Sequence, residues 1–204
     1  KNNRRLEEIK GDIRDTDLIN NIVKDCDAVI HLACISNDPS AELSPELTKA
    51  INQEAFKPLL DICKSSGIKR FIFASSSSVY GISEDPNVNE DHPRIPVSEY
   101  NKTKAYCEDQ LIDYYSNDFS IVTIRPATVC GYSPRLRLDL TVNILTNYAF
   151  HKEEITVFGG DQYRPNIHIE DMTDLYLKLL EESDSKVSGQ IFNAGYQNQK
   201  VIEI

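Results

Sequence analysis

The sequence predicts an α/β protein with a doubly wound, mainly parallel β-sheet and helices on both faces. Short runs of β-branched and aromatic residues alternate along the chain with longer segments of amphipathic helical pattern. The clearest runs, at 28–33, 71–74 and 121–126, are largely apolar, as expected for strands that are buried on both faces. With 204 residues, of which 40% are hydrophobic and 26% charged, the chain can form one domain with a substantial core.

The first half of the chain reads as alternating strands and helices. Helices are assigned where apolar residues recur every three to four positions, and strands where β-branched and aromatic residues cluster. Asn37-Asp38-Pro39 favours a turn, and Pro58 is expected to kink its helix. The expected elements are a strand at 6–9, a helix at 17–25 capped by Thr16, a strand at 28–33, a loop at 35–45, a helix at 46–66 and a strand at 71–74.

The second half continues the alternation, which implies right-handed βαβ units. A loop rich in Gly, Pro and Arg follows the strand at 121–126. The expected elements are a helix at 99–116 capped by Ser98, a strand at 121–126, a helix at 139–151, short strands at 155–158 and 166–169, a helix from 170 to about 180, a strand at 191–193 and a further helix starting at 201.

Composition narrows the classes of function. The net charge of −10 argues against a nucleic-acid partner, and the absence of any run of about 18 apolar residues argues against a membrane span. Five scattered cysteines without a CxxC pair favour reduced thiols and a cytoplasmic location, and Cys130 is expected to be inert. His31 and His168 have no second ligand at metal-binding spacing, so we expect them in strand or core structure and expect no metal site.

One stretch carries the candidate chemistry. Four serines, Ser75 to Ser78, follow the strand at 71–74, at the carboxyl edge where open α/β sheets bind ligands. Tyr100 and Lys104 lie one turn apart on one face of the next helix. A phenol with a pKa near 10 is a poor base at neutral pH, but a neighbouring ammonium favours the phenolate and lowers that pKa. The stretch therefore predicts a proton-relay site formed by serine, tyrosine and lysine.

The Tyr-x-x-x-Lys spacing is weak evidence by itself, because its alternative is an ordinary exposed helix face. Only the first of its three occurrences follows a serine-tipped buried strand. The second is expected to be a cation at a helix C-terminus, and the third lies in an expected polar loop. The occurrences are Tyr100/Lys104, Tyr148/Lys152 and Tyr196/Lys200.

Seven segments together carry a family resemblance that no single one could. They are Gly11–Asp15, His31–Ala33, Asn52, Ser75–Gly81, Tyr100–Lys104, Arg125–Pro126 and Arg164–Asp171, in that order. The chain resembles the extended short-chain dehydrogenases/reductases of the NAD-dependent epimerase/dehydratase type, which act on nucleotide sugars. The resemblance implies a Rossmann-like fold with NAD as cofactor, although the residues leave NADP open.

The resemblance also implies roles for individual residues. Tyr100 would be the general acid/base, Lys104 would tune it and hold the nicotinamide ribose, and Ser76 would be the catalytic serine. The implied cofactor-binding residues are Asp12, Ile13, Leu32, Ala33, Asn52, Ser75, Tyr100, Lys104 and Pro126. The implied substrate-binding residues are Ser76, Thr128, Arg135 and Arg164. Arg164 would bind the diphosphate of the substrate, and the alternative for Arg164 is a structural ion pair at the surface. Arg135 and Arg137 would either help to bind the diphosphate or lie in a solvated loop.

The chain departs from the family pattern at its beginning. The glycine-rich phosphate loop, which places a pyrophosphate on a helix N-terminus, is not found in these 204 residues. We therefore expect the sequence to be a piece of a longer enzyme, cut at both ends. We expect this piece alone to bind NAD weakly or not at all, which would leave it inactive. Residues 1–126 are expected to form an incomplete NAD-binding part that carries the catalytic residues. Residues 127–204 are expected to be mainly substrate-binding, interleaved with the last strands of the sheet.

A second departure bears on the reaction. Ser77 and Ser78 stand where the 4,6-dehydratases of the family carry an Asp-Glu pair, so an epimerase or a ketosugar reductase fits better than a dehydratase. The leading expectation is an epimerase that transiently oxidises the hydroxyl of a nucleotide-diphosphate sugar. The alternatives are a reductase or 4,6-dehydratase of the same family, or a non-catalytic binding subunit. By analogy with the family, helices 46–66 and 99–116 would form a homodimer interface.

Overall fold

The computed structural model describes residues 6–85 and 87–204. The helices are α1 (Thr16–Ile22), α2 (Asp38–Leu43), α3 (Pro45–Lys49), α4 (Phe56–Ser65), α5 (Glu99–Leu111), α6 (Thr141–Lys152), α7 (Ile169–Glu181) and α8 (Asp184–Val187). The strands are β1 (Ala28–His31), β2 (Arg70–Ala74), β3 (Ser120–Pro126), β4 (Thr128–Cys130), β5 (Tyr163–His168), β6 (Gln190–Ala194) and β7 (Gln197–Lys200).

The main sheet has the strand order β1-β2-β3-β6, and every neighbouring pair is parallel. Ile72 of β2 pairs with Ile30 of β1 on one side and with Val122 of β3 on the other. Because all four strands run in the same direction, their carboxyl ends share one edge. The expected parallel α/β sheet is thus confirmed.

Side chains of the central strands alternate between two cores, one on each face of the sheet. Phe71 and Phe73 enter the first core, and Ile72 enters the second. The first core also contains buried side chains of α1, α4 and α5: Ile19, Phe56, Leu60 and Leu111. The second contains buried side chains of α7 and α8: Met172, Leu179 and Val187. Since full burial of one such side chain stabilises the fold by roughly 1.5–3 kcal/mol, these two layers fix the sheet between its helices.

A second, three-stranded sheet lies beyond the end of β3. Its order is β4-β5-β7, with β4 parallel and β7 antiparallel to β5. Thr128 pairs with Asn166, and Arg164 pairs with Gln199. Strand β7 is not predicted by the sequence, because its residues, QNQK, are polar and show no apolar alternation.

Two strands expected from sequence are not formed. Residues 6–9 and 155–158 have no regular structure, and both segments are largely exposed, with Leu6 77% and Phe158 85% accessible. An extended apolar run becomes a strand only where a neighbouring strand offers hydrogen-bond partners. Among the described residues neither run has such a neighbour, so both predictions were wrong.

The loop expected at 35–45 is largely helical. The Asn37 side chain accepts a hydrogen bond from the Ser40 amide at 2.8 Å and caps α2, with Pro39 in the first turn. The Ser44 side chain accepts from the Leu47 amide at 3.4 Å and caps α3. Asn and Pro favour helix N-termini as well as turns, and here the capping role prevails.

The helix expected at 46–66 is interrupted by a π-helical turn over Ala50–Glu54. Pro58 has no amide hydrogen to donate to the Glu54 carbonyl, so regular hydrogen bonding cannot continue across this junction.

At α1, Asp15 and not Thr16 is the capping residue, because its side chain accepts from the Leu18 amide. Where a further helix was expected from residue 201, Val201–Glu203 form a short 3-10 helix.

Gly81 closes the 3-10 turn Ser77–Tyr80 with φ of +72°. A Cβ at this position would lie 2.1 Å from the carbonyl oxygen of Ile95. We expect Gly81→Ala to lower the free energy of unfolding by more than the roughly 1–3 kcal/mol of backbone strain alone, as measured by urea titration.

Gly189→Ala is the matched control for Gly81→Ala. Gly189 has a similar φ of +75°, but a Cβ added to this residue would have no atom within 4 Å. This variant should show the backbone cost without the clash. Equal losses of stability in the two variants would contradict the proposed contact between residue 81 and Ile95.

Candidate active site

The serine-tipped end of β2 forms a short turn that begins at Ser76. The Ser76 hydroxyl accepts from the Ser78 amide at 3.2 Å and lies 2.7 Å from the Ser78 hydroxyl. Ser78 in turn donates to the Asn101 side-chain oxygen at 2.6 Å. The turn that carries Ser76 is therefore fastened to the first turn of α5.

Helix α5 brings Tyr100 and Lys104 to the same edge. Ser98 caps the helix as expected, because its hydroxyl accepts from the Asn101 amide at 3.2 Å. Lys104 is buried, and its ammonium donates to the Ala74 carbonyl at 2.7 Å. That ammonium lies 5.8 Å from the centre of the Tyr100 ring. Ser76, Tyr100 and Lys104 thus lie around the carboxyl end of β2.

The electrostatics of Tyr100 differ from the expectation. Burial raises the pKa of the Tyr100 phenol well above its ordinary value, and Cys34 adds to this effect. The nearby Ser76 side chain and the charge of Arg137 lower the pKa, but they do not outweigh burial. The Lys104 ammonium donates to the Ala74 carbonyl and not to the phenol, and burial determines the direction of the Tyr100 pKa shift. More positive charge is needed before Tyr100 can act as a base.

Arg137, which the sequence left undecided, lies near this phenol. Its guanidinium donates two hydrogen bonds to Asp139, at 3.1 and 2.6 Å. The hydrogen bond to Asp139 raises the pKa of Arg137, and the interaction with Tyr100 contributes in the same direction. Arg137 therefore lies close enough to Tyr100 to influence the phenol, while its hydrogen bonds hold it to Asp139.

A buried ion pair that sequence reasoning missed lies one helical turn beyond Lys104. Arg125 donates to both carboxylate oxygens of Glu108, at 3.1 and 2.7 Å, and the two side chains are 3% and 2% exposed. Ser75 donates its hydroxyl to the same carboxylate. Two signals could have revealed the pair. Tyr100, Lys104 and Glu108 recur every four residues, and Arg125 is a charge inside an apolar strand.

The ion pair extends into a wider hydrogen-bond network. Arg125 also donates to the Tyr80 hydroxyl at 2.7 Å, and Tyr80 donates to the Asn193 side chain at 2.6 Å. Arg94 reaches the Glu108 carboxylate at 3.2 Å from the loop before α5. The network therefore joins the carboxyl ends of β2, β3 and β6 to the middle of α5.

Several of the expected cofactor-binding residues lie at the same sheet edge. Leu32 and Ala33 follow the carboxyl end of β1 and are exposed, with Leu32 57% accessible. Pro126 ends β3, and Ser75 follows β2. The Ser75 hydroxyl is already used by Glu108, so Ser75 can contribute to a ligand mainly through its backbone position.

The remaining cofactor candidates have different surroundings. Asn52 is buried, accepts from the Ile35 amide at 2.8 Å and donates to the Ile35 carbonyl at 3.0 Å. It therefore fixes the segment that follows β1. Asp12 is solvent-exposed and paired with Arg14, whose hydrogen bonds lower the pKa of Asp12 to about 2. Ile13 packs against the first core.

The expected substrate residues lie on and near the second sheet. Thr128 is on β4, and Arg164 is exposed on the neighbouring strand β5. Arg135 is exposed in the loop between β4 and α6. The two strands therefore bring Thr128 and Arg164 onto one small sheet beyond the end of β3.

His31, His168 and Cys130 were expected to have structural roles and not chemical ones. His31 is buried and lies near-parallel to the Phe73 ring, with centroids 6.0 Å apart. His168 is half-exposed at the end of β5, where its Nδ1 accepts from the Glu170 amide at 3.4 Å, so it is not a core residue. Burial raises the pKa of the Cys130 thiol, which favours the neutral form. Within the described part of the chain, no three His, Cys, Asp or Glu side chains are grouped to hold a metal.

The family model of the NAD dependent epimerase/dehydratase family matches residues 1–195, which is nearly the whole chain. The chain belongs to this family. The Rossmann-like α/β fold expected from the sequence is confirmed by solved structures of the NAD-dependent epimerase/dehydratase type. Of the helices in residues 6–85 and 87–204, none combines the length and apolar character needed to span a bilayer.

Individual relatives from this epimerase/dehydratase family are similar at moderate identity. UDP-glucose 4-epimerase of Lactobacillus helveticus is 27% identical over 216 residues, which cover 95% of this chain and 66% of the relative. The uncharacterized UDP-glucose epimerase YtcB of Bacillus subtilis is 33% identical over 174 residues, which cover 82% and 53%.

A solved structure of an epimerase is also similar to this chain in its three-dimensional fold. UDP-glucuronic acid 4-epimerase from Bacillus cereus, in complex with UDP-glucuronic acid and NAD, matches with a TM-score of 0.84 and 30% identity. The match covers 98% of this chain and 64% of that one. The chain therefore spans between about half and two thirds of the length of these epimerase/dehydratase relatives.

Proposed function

We propose that the protein is a nucleotide-sugar epimerase that uses bound NAD for transient oxidation of a sugar hydroxyl. The observation that carries this proposal is the meeting of Ser76, Tyr100 and Lys104 at the carboxyl edge of the main sheet. Membership of the NAD-dependent epimerase/dehydratase family supports it, as does the similarity to epimerases that bind UDP-sugars.

The residues at the sheet edge fit a dinucleotide. Leu32 is an apolar side chain left exposed at an edge where ligands bind, and the Lys104 ammonium lies beside the Tyr100 ring. Asp12, Ile13, Leu32, Ala33, Lys104 and Pro126 would contact the cofactor, while Asn52 and Ser75 shape the site through their internal hydrogen bonds. The chemistry that NAD supplies when bound is the removal and return of a hydride at one sugar carbon.

The side chains of this chain perform the proton transfers. Ser76 hydrogen-bonds the sugar oxygen, and Tyr100 takes the proton of that hydroxyl and later returns it. In the structure burial raises the pKa of Tyr100, so the phenolate must be favoured by added positive charge at the site. Arg137 already acts in that direction. Thr128, Arg135 and Arg164 would hold the nucleotide-diphosphate part of the substrate.

The neutral groups beside Ser76 favour epimerisation over dehydration. Ser78 donates to Asn101 and lies against Ser76, so it orients the catalytic serine and offers no carboxyl proton to a leaving hydroxyl. An epimerase or a reductase needs only the hydride and proton machinery. A carboxylic acid in this turn would have favoured the dehydratase alternative.

Product analysis tests the proposed reaction. The full-length protein is incubated with UDP-glucose, UDP-glucuronic acid or dTDP-glucose in the presence of NAD, and in parallel with a nucleotide ketosugar and NADH or NADPH. The products are separated by chromatography. An epimeric sugar at constant mass supports the proposal. A product lighter by one water indicates a dehydratase, net consumption of reduced cofactor indicates a reductase, and binding without turnover indicates a non-catalytic subunit.

We expect Ser76→Ala to lower kcat of the full-length protein by about 100-fold, because it removes the hydroxyl beside Tyr100. Steady-state kinetics with the accepted sugar measures the effect. Ser77→Ala is the matched control, since it alters the neighbouring serine of the same turn and should leave kcat within about twofold. A similar loss in both variants would assign the effect to the turn and not to the Ser76 hydroxyl.

A further inference from the structure

We propose that the buried Glu108–Arg125 ion pair is a positioning device, which holds the turn carrying Ser76 in register with helix α5. Neither side chain is placed against substrate or cofactor, so the pair acts through Ser75 and Tyr80. This inference rests on the proposed function, because it assigns the purpose of the pair to the Ser76–Tyr100 site.

The geometry of the pair is rigid. The planar guanidinium of Arg125 meets the carboxylate of Glu108 fork to fork, with Nε at 3.1 Å from one oxygen and Nη2 at 2.7 Å from the other. Such bidentate contacts fix orientation as well as distance. Since the two side chains come from β3 and the middle of α5, they set the position of the helix along the sheet.

The ion pair is hydrogen-bonded to the turn that carries Ser76 at both ends of that turn. At the beginning, the Ser75 hydroxyl donates to the Glu108 carboxylate immediately before Ser76. At the far end, the Tyr80 hydroxyl accepts from Arg125 at 2.7 Å. The segment between these two contacts is the turn that contains Ser76.

Helix α5 is held by the same arrangement. Lys104 contacts the Ala74 carbonyl, and one turn later Glu108 contacts the Ser75 hydroxyl. Consecutive turns of α5 therefore bind consecutive residues of the strand end. Tyr100, one turn earlier on the same face, is placed by this register beside Ser76.

Stability alone gives a poor account of the pair. Burying two charges carries a large desolvation free energy. A protein with an apolar pair of similar volume in place of a buried ion pair is often equally stable. An ion pair is worth this cost where geometry matters, and displacement of reacting groups by about 1 Å can lower a rate about 100-fold. The placement of the pair directly behind the catalytic turn supports a role in geometry.

The test uses variants of the full-length protein in which the side chain keeps a similar size but the contact between residues 108 and 125 is weakened. Glu108→Gln and Arg125→Lys should lower kcat by about 10- to 100-fold, with KM changed by less than about threefold, at a temperature where circular dichroism shows folded protein. If either variant does not fold, Ser75→Ala and Tyr80→Phe keep the ion pair and remove one contact of the turn each. These should lower kcat about 10-fold.

Arg70→Lys is the matched control. Arg70 is a second buried arginine of the main sheet, at the opposite end of β2, where it donates to the Leu179 and Leu180 carbonyls and pairs with Asp184. Its replacement should lower the melting temperature and leave kcat within about twofold. An equal fall in kcat for Arg70→Lys would overturn the positioning role and assign the effect to general loss of stability.

A Tyr100→Phe variant measured alongside separates the two proposals. Full turnover of Tyr100→Phe would refute the proposed function. Strongly reduced turnover of Tyr100→Phe, together with unchanged kcat in Ser75→Ala, Tyr80→Phe and any folded pair variant, would refute the positioning proposal alone.

Discussion

Tyr100→Phe should lower the turnover of the full-length protein by about 10²–10⁴-fold, which is the usual contribution of general acid–base catalysis. The substitution removes the phenolic hydroxyl and keeps the ring, so packing against the surrounding residues is preserved. We therefore expect kcat to fall while the free energy of unfolding changes by less than about 1 kcal/mol. Steady-state kinetics and urea titration measure the two quantities.

Tyr148→Phe provides a control with the same sequence spacing. Tyr148 also precedes a lysine by four residues, and the Lys152 ammonium lies 3.8 Å from the centre of its ring. This pair is at the C-terminal end of α6 and not on α5, the helix that carries Tyr100 and Lys104. Near-wild-type turnover of Tyr100→Phe, or a comparable loss in Tyr148→Phe, would remove Tyr100 from the acid/base role.

The second large effect concerns the dependence of stability on pH. Burial, with a smaller contribution from the Lys104 charge, lowers the pKa of His31 from 6.5 to about 3. Between these values the unfolded chain binds a proton at this position and the folded protein does not, so stability rises with pH across the window. Acidification from pH 7 to pH 5 should cost about 2 kcal/mol through His31, and further acidification below pH 3 about 5 kcal/mol in total.

His31→Leu should remove this part of the pH dependence. Leucine is apolar and does not titrate, so the variant should lose about 2 kcal/mol less than the wild type between pH 7 and pH 5. The free energy of unfolding from urea titrations at the two pH values measures the difference. Val29→Ala removes packing from the same strand without removing a titratable group, so it is the control and should keep the wild-type slope. A wild-type slope in His31→Leu would contradict the assignment.

The sequence predicted the central strands and their helices because the signals there are local and strong. β2 is expected from Phe71-Ile72-Phe73, and the structure splits these side chains between the two cores. Ser98 was recognised as a cap because capping depends on the next three residues alone. The parallel arrangement followed from the alternation of strands and helices.

The failures occur where a distant partner decides the structure. Residues 6–9 have strand-like side chains without a strand beside them among the described residues, whereas the polar β7 forms because β5 offers hydrogen bonds. Asn37 was expected in a turn and caps a helix instead. Local propensity cannot distinguish these outcomes.

For the candidate site, the sequence identified the chemical groups but not their environment. Tyr100 and Lys104 were found from their spacing. The place after a buried strand indicated Ser75 to Ser78, and the family resemblance singled out Ser76 among them. The effect of burial on the phenol and the direction of the Lys104 ammonium toward Ala74 depend on packing that no motif records. The pairing of Glu108 with Arg125 was not predicted, because it joins a helix to a strand.

The contact between Glu108 and Arg125 also limits how the sequence can drift over evolutionary time. Loss of either partner alone leaves a full charge stranded in the interior, at a cost of about 3–5 kcal/mol. That cost is a large part of the ~5–15 kcal/mol that holds an ordinary domain folded. Residues 108 and 125 should therefore change together or not at all. A lineage in which both residues are uncharged must have replaced both at once, or must first have gained stability elsewhere in the protein.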